Sequence, residues 1–528
     1  MCPVLLLFLL MAALNSESSA NLPEDNTGRK FIAAFPENIA YYHPVLPQNK
    51  IQITALHDNT VIIIKQHTYE VITDTLMAGQ SKEFTPNVGM EIWKQQISNL
   101  VLYITSTNNI TVHAISLRDN SMQTALVIPA DKLSNEYLIP QIPTIKGTTD
   151  QVSVEVTERN PFRLIIISGN KATTGTVEGA QGVPFKLEAL QIWQILLNKE
   201  HELKAVKADQ PVAVFFFHPC AIQFNCTCGL LHNMLPPAKE ETLKFLVPPV
   251  LAGDADGETF LLLPDKIKPL DPTSPLVEAA GMALLYRPGL LLPLIPETDF
   301  GSCFVVGLIP DTQSFAVIVV HKDFTDGVRV GNLPLESPEW KELTGTEYVS
   351  TDVELLQVKV VIWHTSSTMA VYFKGSKGDA VFGNPGAMLS KTPDFRGCVL
   401  APEVLKIGEV ANGWRESLRY CRGENLDLVS MPSAQLGAQI SRKVFEAKDD
   451  SLQEVWIGMR RSSQTGAWYW LNKAPVNDTN WKEGEPGMVD DGQCAIMSLE
   501  SEDFEWSDED CCKVARPVCY SDPILLPL

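Results

Sequence analysis

Six cysteines crowd the last quarter of the chain: Cys398, Cys421, Cys494, Cys511, Cys512 and Cys519. They share about 120 residues with Trp456, Trp468, Trp470, Trp481 and Trp506. Cysteines at this density let a small domain do without a large core, and they imply an oxidising compartment. A bridge closing a loop of about 100 residues contributes on the order of 4–5 kcal/mol in the chain-entropy model. Cys220, Cys226, Cys228 and Cys303 lie in the middle, and Cys2 stands alone at the start. Four and six are both even, so the distribution predicts two self-contained disulfide sets and a domain boundary near residue 395. Connectivity within the middle four is open among three arrangements. His218 and His232 nearby raise zinc as an alternative, but structural zinc sites use C-x₂₋₄-C spacing, and here the gaps are five residues and one. Disulfides are the better reading.

The start of the chain sets the compartment. Val4–Leu14 is apolar, Asn15–Ser19 is polar, and Ser18 and Ala20 occupy the small positions before a cleavable bond. Residues 1–20 read as a secretory signal peptide. The run is shorter than the ~20 residues a membrane span needs. Leu290–Pro296 is interrupted by Pro293 and Ile524–Leu528 is shorter still, so no membrane span is expected and the mature protein is expected to be extracellular. Acidic residues outnumber basic ones 63 to 42, a net charge of −21. That balance disfavours nucleic acid and anionic membranes, which both require Lys/Arg clusters.

Residues 31–390 carry short β-branched runs separated by Asn, Gly, Pro and Asp. These are Val61–Ile64, Val101–Thr105, Ile110–Ile115, Arg163–Ile167, Val212–Phe217, Phe315–Val320 and Val358–Trp363. Such runs predict strands, and the region reads as mostly β, sandwich-like. A repeat runs through it. Asn109–Ala114 leads to Ala125–Pro129 and Tyr137–Pro140; Gln210–Phe215 leads to Met234–Pro236 and Phe245–Pro248; Thr368–Tyr372 leads to Asn384–Gly386. Three related modules are expected, the third preceded by a Pro- and Leu-rich insert at about 250–300.

Beyond residue 395 the periodicity becomes helical. Trp414, Leu418 and Cys421 share one face, and Leu436, Ile440 and Val444 share another behind a Ser433 N-cap. Residues 398–520 resemble a C-type lectin-like domain, an α+β fold. The resemblance rests on Trp456-Ile457-Gly458-Met459, Trp468-Tyr469-Trp470, Glu485-Pro486, Cys494, Trp506-Ser507-Asp508, Cys511 and Cys519. It implies the pairs Cys421–Cys519 and Cys494–Cys511, and leaves Cys398 for Cys512. The β region is similar to the N-terminal domain of IgG Fc-binding protein. Phe31–Asn38, Val112-His113-Ala114, Val212–Pro219, Met369–Tyr372 and Gly383–Gly386 carry that likeness. It implies adhesive binding to glycoproteins or mucus components, mucin or immunoglobulin among them, without catalysis.

Calcium-binding members of the lectin family hold the ion with an acid and an amide from a tripeptide, an acid before the inner cysteine, and an Asn-Asp pair. Six to eight oxygen ligands suit such a hard cation. Glu485 and Asp508 match that set, whereas Gly487, Gly492 and Ser507 stand where three other ligands are expected. Asp490 and Asp491 lie near the missing acid, so Glu485, Asp490, Asp491 and Asp508 are the candidate calcium and ligand residues. Calcium is thus a candidate cofactor with a depleted ligand set. Glu483–Asp510 holds eleven acids and no Lys or Arg, which also describes a solvated acidic face or one that meets a basic partner. Asn109, Asn225 and Asn477 head N-glycosylation triplets, the last close to the candidate loop.

No GxSxG, HExxH, Walker A or GxGxxG pattern occurs. The chain therefore reads as a non-enzymatic, secreted recognition protein for glycoproteins or glycans, without family-type calcium coordination of the sugar. Two rivals stand beside this reading: a calcium-dependent lectin, and a secreted hydrolase whose sign would be a close His–carboxylate pair in a deep pocket.

Overall fold

The structure, a computed structural model, describes residues 25–528 apart from 40–45, 94–96, 119–120, 150–151, 156–160, 198–201, 223–227, 253–258, 272, 308, 357–358, 379 and 489–491. Residues 1–20, expected to be a signal peptide, and Asn225, Cys226, Asp490 and Asp491 lie outside the described residues. Two compact units form, one running to Val399 with Leu525–Leu528, the other Leu400–Ile524.

The first unit is mostly β and is built from one strand pattern used repeatedly. In its first copy a long spine, Leu102–Arg118, joins the two runs read separately from the sequence. The first half of the spine pairs with Gly28–Ala33 and Thr60–Gln66, the second with Lys50–Ala55 and Ser121–Leu126. The second copy repeats this around Ala205–Ile222, which pairs with Ser134–Leu138, Thr173–Glu178, Arg163–Ser168 and Cys228–Met234. In a later copy the spine is split into Lys359–His364 and Met369–Lys377. These pieces pair with Cys303–Gly307 and Val328–Val330, and with Gln313–His321 and Ala380–Pro385, in the same arrangement.

The stretch expected as an insert is itself a shortened copy. Leu276–Ala280 and Leu284–Arg287 replace the spine, pairing with Thr242–Leu246, Phe260–Leu262 and Leu290–Pro293. Between the two pieces Gly281 has φ +71°, and a Cβ there would lie 2.6 Å from Leu138 and 2.7 Å from the Lys239 carbonyl. One hydrogen bond recurs at the end of every hairpin: Val127 N–H to Val112 O (2.9 Å), Leu235 to Val214 (2.8 Å), Leu294 to Ala283 (3.0 Å) and Gly386 to Val371 (2.8 Å). Among the described residues there are therefore four copies; Ala125–Pro129 and Met234–Pro236 are exits of their hairpins, whereas Tyr137–Pro140 and Phe245–Pro248 belong to the strands that open the next copy.

The copies close into a ring. Successive side chains of one strand enter different cores: Ala213, Phe215 and Phe217 face the first copy, and Val212, Val214 and Phe216 face the third. Likewise Val317 and Val319 share a core with the third copy, whereas Ala316, Ile318 and Val320 share one with Ile115 and Met122 of the first. Burial on both faces is why these strands read as unbroken apolar runs rather than as alternating ones. Polar bonds also link the hairpins, including Thr124 Oγ1 to Asn384 Oδ1 (2.6 Å) and Asn233 Nδ2 to Leu291 O (2.9 Å). Asn26 joins the first copy to the last, donating from its N–H to Met388 O (2.7 Å) and accepting from Met388 N–H through Oδ1 (2.9 Å).

The second unit has an α+β fold. Helices Trp414–Gly423 and Ala434–Ala447 flank a sheet in the order Val404–Ile407, Arg516–Ser521, Glu454–Arg461, Cys494–Ser498, Trp506–Glu509. Ser433 caps the second helix, its Oγ accepting from Leu436 N–H at 3.3 Å, and Leu436, Ile440 and Val444 are buried. Trp414 and Trp456 donate their indole N–H groups to Ile457 O and Asn412 O, both at 2.9 Å.

The disulfides are Cys220–Cys228, Cys303–Cys398, Cys421–Cys519 and Cys494–Cys511. This corrects two expectations. Cys398 pairs with Cys303 rather than Cys512, which is free and exposed, so the middle and C-terminal sets are not self-contained. The reason is topological: Cys303–Gly307 pairs with Ala387–Ser390, and the chain leaving that strand brings Cys398 back to Cys303 with Cα atoms 5.4 Å apart.

Candidate functional site

The hairpin from Glu454–Arg461 to Trp468–Trp470 and the long loop before Cys494 meet over four indole rings. Trp468 lies 4.7 Å from Trp481, Trp481 5.8 Å from Trp506, and Trp506 5.4 Å from Trp470, measured between ring centroids. Trp470 is fully buried at the base of this cluster. Aromatic pairs in such edge-on and tilted arrangements contribute about 0.5–1.5 kcal/mol each beyond the area they bury. They give the loop a rigid floor.

Arg461, at the end of its strand, extends between this floor and the loop. Its Nε donates to Gly466 O (3.0 Å), and Nη1 donates to Gly487 O (3.1 Å) and Met488 O (2.9 Å). Nη1 also stands 4.0 Å from Asp508 Oδ2, and the guanidinium carbon lies 5.8 Å from the Trp468 ring centroid. Asp508 is buried, and its Oδ1 accepts from Gly487 N–H at 3.0 Å. Glu485 is beside it. Interaction with the neighbouring Asp508 side chain, together with burial, raises the Glu485 pKa above the usual carboxylate range.

These residues do not fit the calcium set of the lectin family. The structure brings Glu485 beside Asp508, but Asp508 Oδ1 already accepts from Gly487 N–H, and a guanidinium stands 4.0 Å from its Oδ2. Gly492 occupies the position of the missing acid, and a Cβ there would lie 2.6 Å from Glu509 N and 2.7 Å from the Asp508 carbonyl carbon. A side chain cannot enter without moving that strand. Gly492→Asp is therefore expected to lower stability by about 1–3 kcal/mol, as overpacking does, without creating calcium affinity; thermal unfolding with and without calcium checks both. Among the described residues no group of three or more His, Cys, Asp or Glu is placed to hold a metal ion.

The sequence reading overlooked Arg461. Its signal was the Arg460-Arg461 pair closing an apolar strand, opposite an acid-rich stretch with no cation of its own. Of the glycosylation triplets, Asn477 is exposed, and Asp478 beside it accepts from Ala434 N–H at 3.0 Å. Asn109 is half-buried on the spine, its Nδ2 3.3 Å from Thr27 Oγ1, with Thr111 fully buried. Around the middle cysteines, the Cys220–Cys228 bridge leaves no thiolate pair for zinc. His218 Nδ1 accepts from Cys220 N–H (3.2 Å), and His232 stacks on Phe215 at 5.2 Å. Among the described residues the His–carboxylate ion pair is His321–Asp323 at 3.6 Å, with Asp323 well exposed, so it marks no deep pocket.

Two helices, a disulfide-braced sheet and a long loop on a tryptophan floor define the C-type lectin fold. The Lectin C-type domain model matches residues 410–521. C-type lectin lectoxin-Phi1 of Philodryas olfersii is 31% identical over 109 residues, which is 20% of this chain and 69% of that protein. Human lithostathine is similar at 24% identity, covering 23% of this chain and 92% of that one, with a TM-score of 0.22. The chain belongs to the C-type lectin family. Residues 123–263 match the model of the IgGFc binding protein, and the IgGFc-binding protein of Homo sapiens is 22% identical over 386 residues, 66% of this chain. The chain spans 7% of the length of that relative. Both matched families are binding families. Among the described residues no helix is long and apolar enough to cross a membrane.

Proposed function

We propose that this is a secreted adhesion protein that recognises glycoproteins or glycans through surface contacts, without calcium coordinating the sugar. On this reading residues 1–20 are removed, 31–390 form the adhesive β region, and 398–520 form the lectin-like domain. The observation that carries it is the state of the candidate loop, where Gly492 leaves no room for the missing ligand and the Arg461 guanidinium stands against Asp508. Glycoproteins such as mucin or immunoglobulin are the proposed partners, the second supported by the printed name of the IgGFc-binding protein.

The contact atoms belong to exposed apolar side chains beside the tryptophan floor. Met488 is 79% exposed on the loop and Tyr469 is 41% exposed on the hairpin. Large side chains of this kind act as interface anchors. The double variant Met488→Ser, Tyr469→Ala is expected to weaken glycoprotein binding about tenfold, measured by surface plasmon resonance on immobilised mucin and immunoglobulin. Unchanged binding would remove the lectin-like loops from the account. The calcium-dependent alternative rests on the retained Glu485 and Asp508, and it predicts instead that binding is abolished by chelator.

A further inference from the structure

We infer that Arg461 is the resident cation of the long loop, tying it to the neighbouring hairpin and strand. The inference rests on the proposed function and deepens it, because it says how a binding loop stays ordered when the family's calcium ligands are missing.

The guanidinium has the surroundings of a bound cation. Three backbone carbonyls, of Gly466, Gly487 and Met488, accept its N–H groups, and the Asp508 carboxylate stands 4.0 Å away. Those oxygens come from the hairpin turn, the loop and the last strand of the site, so one side chain ties together three segments that are distant in sequence. A planar fork of five donors can serve several acceptors at once, which the point charge of a lysine cannot do. The Arg461 side chain is 13% exposed and that of Asp508 is 1% exposed, so the pair lies out of bulk solvent. A buried carboxylate without a counter-charge is strongly destabilising, and Arg461 supplies that charge. The Trp468 ring underneath adds a cation–π contact.

Among the described residues the same geometry disfavours a second cation. Asp508 Oδ1 is used by Gly487 N–H, and its Oδ2 faces a positive charge that would repel calcium at short range. The carbonyl oxygens of Gly487 and Met488 are already accepting from Arg461. The loop at Gly487 and Met488 is therefore held by the chain itself, independently of free calcium.

The test uses the intact protein and needs no ligand. Limited proteolysis at the loop and thermal unfolding followed by tryptophan fluorescence are measured in millimolar calcium and in EDTA, for wild type, Arg461→Gln, Arg461→Met and Arg461→Lys. Wild type is expected to show equal loop protection and a Tm equal within about 1 °C in the two buffers. A saturated ion site would raise Tm by several degrees. Arg461→Gln and Arg461→Met are expected to raise the loop cleavage rate about tenfold in both buffers, with Arg461→Lys in between. A calcium-dependent Tm or loop protection in wild type would overturn the inference, even if every variant failed to fold. Wild-type cleavage rates in folded Arg461→Gln and Arg461→Met would overturn it too. Neither readout involves a glycan or glycoprotein, so failure of the binding function would be seen separately.

Discussion

Replacing Cys303 with serine is expected to destabilise the ring unit by about 4–5 kcal/mol, because its bridge to Cys398 spans 95 residues and a loop of that size carries a large closure entropy. Both cysteines are buried, so the variant also leaves a polar hydroxyl in an apolar setting. The bridge ties the last copy of the ring, from its first strand Cys303–Gly307, to the chain leaving its final strand. Urea unfolding of Cys303→Ser and Cys398→Ser should give equal losses. Cys512→Ser should give none, since that thiol is exposed and free. A loss in Cys512→Ser equal to that in Cys398→Ser would instead restore the pairing first expected from the lectin resemblance.

Acidification should weaken the same unit through two buried histidines. Burial lowers His113 to about 4 and His232 to about 3. Both ring nitrogens of His232 are without a hydrogen-bond partner, and the ring stacks on Phe215. An unfolded imidazole titrates near 6.5, so below that pH the unfolded chain binds protons that the native chain refuses. Stability is then fully present above about pH 6.5 and falls as pH drops toward the native values. At pH 5 each histidine removes about 2 kcal/mol, roughly 4 kcal/mol together. Urea midpoints at pH 7 and pH 5 measure the drop, and His232→Phe should shrink it by about half. An undiminished drop in a His113→Asn, His232→Phe double variant would place the acid sensitivity in other groups.

Parts of this fold could be read from residue patterns because local chemistry dictated them. Leu436, Ile440 and Val444 behind Ser433 specify a capped helix face, and tertiary packing agrees. The apolar runs of the β region specify strands, and the first apolar-Pro segment after each spine marks a hairpin exit with one shared hydrogen bond. The shortened third copy was hidden because its spine is two short pieces hinged at Gly281, too brief to register as one strand. Parity misled the disulfide assignment: an even count in each cluster says nothing about which strands return to meet. The candidate site was half legible. Its acids were visible as a depleted calcium set, but Gly492 is a close backbone approach and Arg461 a counter-charge, and both depend on contacts between segments far apart in the chain.

The most direct test is binding of the purified protein to an array of free glycans and intact glycoproteins, in calcium and then in EDTA. The account predicts signal on glycoproteins that is unchanged by chelator, because Arg461 rather than calcium orders the loop. Signal on free glycans that disappears in EDTA would show that Glu485 and Asp508 still recruit calcium to coordinate sugar, and would contradict it.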